Sequence, residues 1–121
     1  LDTNEISTVL QELNSANDQI LLSMVVSNDG LTLAHEGNVK DPDKFGASYI
    51  ELELVAEKIM SDLEYGKFEE MFIRSGAGCV SIMPIFDKGV LACMSTPDIT
   101  PGKIQMLTWK AINKLNNIMA S

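Results

Sequence analysis

This chain is poor in three of the side chains on which catalytic and metal centres are often built, with a single histidine, a single arginine and two cysteines. Imidazole is the commonest general base near neutral pH. His35, however, stands beside Glu36 at the end of an expected strand with no nucleophilic motif around it, and reads as a surface residue. Cys79 and Cys93 lack the C-x-x-C spacing of a zinc or redox site and are too few for a disulfide framework. If the Asp87-Lys88-Gly89 turn pairs Phe86 with Val90, Cys93 faces Met83. That is about 13 Å along the strand from Cys79, too far for a disulfide or a shared metal. Both are expected as small buried apolar residues. Gly76 and Gly78 precede neither a lysine-serine pair nor a helix start, so no phosphate-cradling loop is expected. The sequence therefore predicts no enzyme, no cofactor and no metal.

Positive charge is scarce as well. Nine basic against seventeen acidic residues give a formal charge of −8, which repels a phosphate backbone and argues against nucleic-acid binding. The longest apolar run, Ile20 to Val26 with Ser23 inside it, is far short of the ~18 residues of a membrane span. Leu1 to Glu5 carry neither a basic nor an apolar leader segment, so no signal peptide and a cytoplasmic location are expected. A chain of 121 residues with 45% apolar and 21% charged residues suits one folded domain spanning 1–121.

What is present alternates between helical and strand patterns. Ile6, Val9, Leu10 and Leu13 have the spacing of a helix with one buried stripe. Ile20 to Ser27 reads as a strand, and Asn28-Asp29-Gly30 as a tight turn returning Leu31 to His35 beside it. After Asp41-Pro42-Asp43 a long helix is expected from Phe45 to Glu64. Phe45, Tyr49, Leu52, Ala56, Ile59 and Leu63 would face the sheet, with a second apolar stripe of Ala47, Ile50 and Leu54 turned outward. Three strands follow, over Phe68–Arg74, Cys79–Phe86 and Val90–Ser95, joined by short turns. The last helix runs from Thr100-Pro101-Gly102 to Met119 on a stripe of Ile104, Leu107, Ala111, Leu115 and Ile118. Both alternating sets of Cys79–Phe86 are apolar, so helices should cover both sheet faces. The fold class is thus an α+β three-layer sandwich with a five-stranded, mainly antiparallel sheet. Pro84 is expected where neighbouring pairing has ended.

This order of helix, hairpin, long helix, three-strand meander and helix, with the block VVSNDGLTLAH from Val25 to His35, resembles the Roadblock (dynein light chain roadblock-type) family over essentially the whole chain. Asn28, Asp29, Gly30, Leu31, Leu33 and Ala34 match the hairpin motif one by one. The resemblance implies a profilin-like architecture with the long helix on one sheet face and the two terminal helices on the other. It also implies a dimer that pairs third strands and sets central helices side by side. The interface would draw on Ala47, Ile50, Leu54 and Glu57 of the helix and on Phe68, Glu70, Phe72 and Arg74 of the strand segment. An apolar edge at Phe68–Arg74 is an aggregation hazard in a monomer, and pairing it with a copy of itself removes the hazard.

The family includes activators and scaffolds of small Ras-like GTPases, so the resemblance implies a non-catalytic interaction module with such a GTPase as partner. The companion would be a second copy or a paralogous Roadblock protein. An arginine inserted into a GTPase can speed hydrolysis. Arg74, at the end of the seam strand, reads instead as structural or edge-protecting. Some activators carry extensions beyond the core domain, and the few residues after Met119 favour scaffolding over activation. Two other functions suit the same architecture: a sensory domain enclosing a small ligand, and a structural adaptor such as a motor light chain or membrane-complex subunit acting as a heterodimer.

Overall fold

Ile6, Val9, Leu10 and Leu13, the residues that mark the first helix in the sequence, are buried together along one side of α1 (Thr3–Ala16). Asp2 caps this helix, its side chain accepting from Asn4 N at 2.9 Å. The computed structural model describes residues 2–120. Leu1 and Ser121, the ends of the expected domain, lie outside the described residues.

β1 (Ile20–Ser27) has the expected bounds and is followed by β2 (Thr32–Glu36). Between them Gly30 takes φ +87° and its N–H donates to Ser27 O, the tight turn that Asp29-Gly30 encodes. α2 spans Pro42–Asp62, starting ahead of Phe45 because Asp41 caps it and Pro42 fits its first turn. β3 (Met71–Arg74) is shorter than expected, since Phe68 to Glu70 approach the sheet without pairing. β4 (Cys79–Ile85), β5 (Gly89–Ser95) and α3 (Pro101–Met119) complete the chain.

The five strands lie in the order β2-β1-β5-β4-β3, every neighbouring pair antiparallel, so β2 and β3 are the edges. Successive residues point to opposite faces. Val25, Ile85, Leu91 and Cys93 pack with α1 and α3, and Met24, Val26, Ile82, Val90 and Ala92 pack with Tyr49 and Ile50 of α2. Both faces are covered, and the fold is the three-layer α+β sandwich that two-sided apolar strands require. α3 buries Ile104, Thr108, Ala111, Leu115 and Met119, while Leu107 and Ile118 are only partly covered. Thr108 is tolerated there because its hydroxyl donates to Ile104 O at 2.7 Å.

The β4–β5 turn lies one residue earlier than expected, with the same three-residue length. Ile85 stands opposite Gly89 and Ser81 opposite Cys93, and Phe86 lies in the turn at φ +42°, outside the strand. Cys79 and Cys93 become diagonal neighbours, roughly 7–8 Å apart for such pairs and still beyond disulfide reach. Both are free and buried. Burial pushes the Cys93 thiol up to about 12. Pro84 sits past Ile82, the last β4 residue paired to β3, although the β5 register continues across it.

Candidate interaction surface

The seating of α2 decides which side chains remain on the surface. Its start is pinned to β2, where Thr32 N donates to Asp43 Oδ1 at 2.9 Å. At Gly46 the helix comes so close to the β1–β2 turn that a Cβ would lie 2.8 Å from Gly30 O. Only glycine permits this approach. The buried residues are accordingly Gly46, Tyr49, Ile50 and Ala56, and the Tyr49 hydroxyl reaches Met94 Sδ at 3.0 Å.

This seating rotates the helix away from the face that the sequence predicts. Tyr49 and Ala56 are buried as expected and Leu52 is half-buried, but Phe45, Ile59 and Leu63 are exposed, the last two by 48% and 52%. The expected outward stripe is corrected too. Ala47 and Leu54 are exposed, whereas Ile50 is 7% exposed and belongs to the core beneath the helix. The outward apolar stripe is Phe45, Val55, Ile59 and Leu63. At its base, Leu22, Met71, Val80 and Met94 are only partly covered on the same sheet face.

Glu53 and Glu57 occupy the flank of α2 nearer the sheet. Burial first, and the charge of Glu57 second, hold the Glu53 carboxyl above its ordinary range. Glu57 Oε1 accepts the backbone N–H of Phe68 at 2.5 Å. Phe68, expected on an exposed strand, has its ring buried. Its place is inside the fold because the chain turns inward to meet α2 before β3 begins.

β3 leaves one edge unpaired, with Ile73 exposed and Phe72 half-buried toward α3. Gln105 Nε2 donates to Glu70 Oε1 at 2.8 Å. The Arg74 guanidinium stacks 5.1 Å from the Phe72 ring centroid and donates to Pro97 O and, at 2.5 Å, to Ile99 O. With its donors engaged by the loop ahead of α3, Arg74 braces that loop against the edge strand. His35 is exposed on the other edge, its Nδ1 3.3 Å from Gly37 O. Among the described residues no group of three or more His, Cys, Asp or Glu could hold a metal ion, and no helix is long and apolar enough to cross a membrane.

The structure thus brings Glu57 and Phe68 together, sets Phe72 and Arg74 side by side on the β3 edge, and leaves Ala47 and Leu54 exposed on α2 while Ile50 is buried. The periodicity of Phe45, Ile59 and Leu63 in the sequence points to the sheet side, yet with Val55 they form the exposed stripe. Nothing in that periodicity marks which of two apolar stripes a helix turns inward.

The sequence model of the Roadblock/LC7 domain matches residues 5–95. No curated protein matches the chain in sequence. Among solved structures, MglB of Myxococcus xanthus superposes with a TM-score of 0.90 at 13% identity, covering 98% of this chain and 90% of that one. A structure described as MglB with tetrameric arrangement gives 0.87 at 14% identity, covering 96% and 88%. Profilin IA of Acanthamoeba castellanii gives 0.63 at 16% identity, covering 93% and 97%. At such identities the likeness establishes the fold, a Roadblock and profilin-like architecture.

Proposed function

This chain belongs to the Roadblock/LC7 family, and from that premise we propose that it is a non-catalytic dimeric interaction module, a single domain acting in the cytoplasm, that binds and regulates or scaffolds a small Ras-like GTPase. The observation that carries the reading is the seating of α2. Phe45, Val55, Ile59 and Leu63 face water while the helix buries a glycine and shelters two glutamates against its own sheet. An exposed apolar stripe of this length, in a fold that also leaves a strand edge unpaired, is what a monomer avoids and a dimer covers.

A second copy, or a paralogous Roadblock protein, would set its α2 along this stripe and its β3 against Met71–Arg74, extending the sheet through a two-fold axis. Of the residues expected at the seam, Ala47, Leu54, Glu70, Phe72 and Arg74 remain its candidates. Ile50 and Phe68 serve the protomer's own core, and Glu57 serves the approach to β3. The tetrameric arrangement of the MglB neighbour supports self-association as a habit of this fold. The association with small GTPases rests on family membership, and the dimer would supply the platform on which one docks.

Light scattering and a pull-down test both parts. Wild type should scatter as a dimer, and Ile59→Asp/Leu63→Asp as a folded monomer. The dimer should retain a Ras-like GTPase in one nucleotide state more strongly than in the other. A wild type that stays monomeric at high concentration would overturn the dimer. A dimer that retains Ras-like GTPases in neither state would overturn the partner.

A further inference from the structure

The chain's one tryptophan lies in water. Trp109, on the outer flank of α3, is 64% exposed. It borders a cavity of about 360 Å³ between α3 and the beginning of β3. β3 pairs with β4 only from Ile82 back to Cys79, so β3 does not extend alongside Met83 and Pro84, which form part of the apolar lining with Ile112. Glu69 and Glu70, just ahead of β3, bring two carboxylates to the same cavity, and none of the chain's nine basic side chains lines it. Gln105 fixes Glu70 by donating to its Oε1 at 2.8 Å, leaving its second oxygen and both of Glu69 without a protein donor among the described hydrogen bonds. A second cavity of about 210 Å³ shares Glu70, Met83 and Gln105 and carries the groove along β3 past Phe72 and Ile104.

We propose that this groove receives an extended segment of a partner protein that presents an arginine to Trp109 and the two glutamates. An indole face attracts a cation through its ring quadrupole. A guanidinium adds a flat surface that stacks and a fork of donors that matches a carboxylate, which a lysine does not. Met83 and Pro84 offer contact to small apolar residues on either side of the arginine. The groove opens on the α1/α3 side of the sheet, opposite the α2 stripe. Glu70 and Phe72 are shared with the proposed β3 seam, whereas Trp109, Glu69, Met83 and Pro84 are not among its candidates, and the proposal does not require a GTPase.

Trp109 reports its own occupancy. The full chain is titrated with a capped five-residue peptide of alternating alanine and arginine, with lysine and glutamate counterparts, and followed by Trp109 emission and by calorimetry. The arginine peptide should bind saturably and shift the emission, the lysine peptide should bind more weakly, and the glutamate peptide should not bind. Glu69→Gln/Glu70→Gln should weaken the arginine peptide by about tenfold or more. Glu5→Gln/Glu51→Gln, which removes the same charge from distant exposed sites, should leave it unchanged. Absence of saturable binding, equal loss in the two double variants, or no loss in either overturns the proposal.

Discussion

Glu57 Oε1 receives the backbone N–H of Phe68 at 2.5 Å across the turn between α2 and β3. The carboxylate satisfies a donor that no strand neighbour reaches, and the buried Phe68 ring anchors the same point from inside. Together they set where the edge strand begins. Glu57→Ala leaves that N–H without its charged acceptor and should lower the unfolding free energy by about 1–3 kcal/mol. Glu57→Gln, which keeps a neutral acceptor, should cost less. Urea denaturation gives the energies, and amide exchange at Phe72 and Ile73 should quicken in the alanine variant. Equal stability of the two variants would show that the bond does not hold the strand.

Gly89 begins β5 at φ +150°, and a Cβ added there would lie 2.0 Å from Val26 O. Both the backbone conformation and the contact with β1 forbid a side chain. Gly89→Ala should therefore destabilise the protein by about 2–4 kcal/mol. Gly102, in the first turn of α3, has open space around it. Gly102→Ala should stabilise by up to about 1 kcal/mol through helix propensity and a less free unfolded chain. The two urea midpoints should move in opposite directions, and a common direction would refute the contrast.

Glu53 supplies a pH dependence of known sign. Burial, aided by the charge of Glu57, raises its folded pKa above the ordinary glutamate value. The folded protein therefore holds this proton more tightly than the unfolded chain. Stability from this group is greatest below the unfolded pKa and is lost as pH rises through the folded one. Glu53→Gln should be the more stable protein at pH 7, by less than about 1 kcal/mol because the side chain is not fully enclosed. The advantage should disappear in acid. Thermal melts of both proteins at neutral and acid pH decide it, and a less stable Glu53→Gln at pH 7 contradicts the assignment.

The same glutamates explain why part of the surface was hard to read in the sequence. α1 and β1 were legible because their apolar residues all go inward, Ile6, Val9, Leu10 and Leu13 being an unambiguous stripe. α2 has two competing sides. The one it turns to the sheet contains Gly46, Glu53 and Glu57, and the more apolar one containing Phe45, Val55, Ile59 and Leu63 faces out. Hydrophobicity pointed to the wrong side because the seating is set by the close approach at Gly46, a tertiary contact without a local signature. The Trp109 groove escaped for a related reason. It is formed where β3 starts late, and only the register of β3 on β4 shows that Met83 and Pro84 have no β3 neighbour.

Asn14 and Ser23 offer the sharpest test of how α1 is held to the sheet. Ser23 is fully buried on β1, and its hydroxyl donates to Asn14 Oδ1 at 2.7 Å, while Asn14 Nδ2 donates to Glu36 O at 3.1 Å. One amide thus joins α1 to a central strand and to the edge strand β2. Removing one partner strands the other, whereas removing both leaves an apolar contact, and the costs are unequal for that reason. Asn14→Ala isolates a hydroxyl with no access to water and should cost about 2–3 kcal/mol. Ser23→Ala leaves Asn14 half-exposed and able to turn to solvent, so it should cost about 1 kcal/mol. Ser23→Ala/Asn14→Leu should then fall short of the sum of the single losses by at least about 1 kcal/mol, measured as a double-mutant cycle with Asn14→Leu as the second single variant. Additive losses would mean that the two side chains are neighbours without being coupled, and that α1 is held to the sheet by its apolar stripe alone.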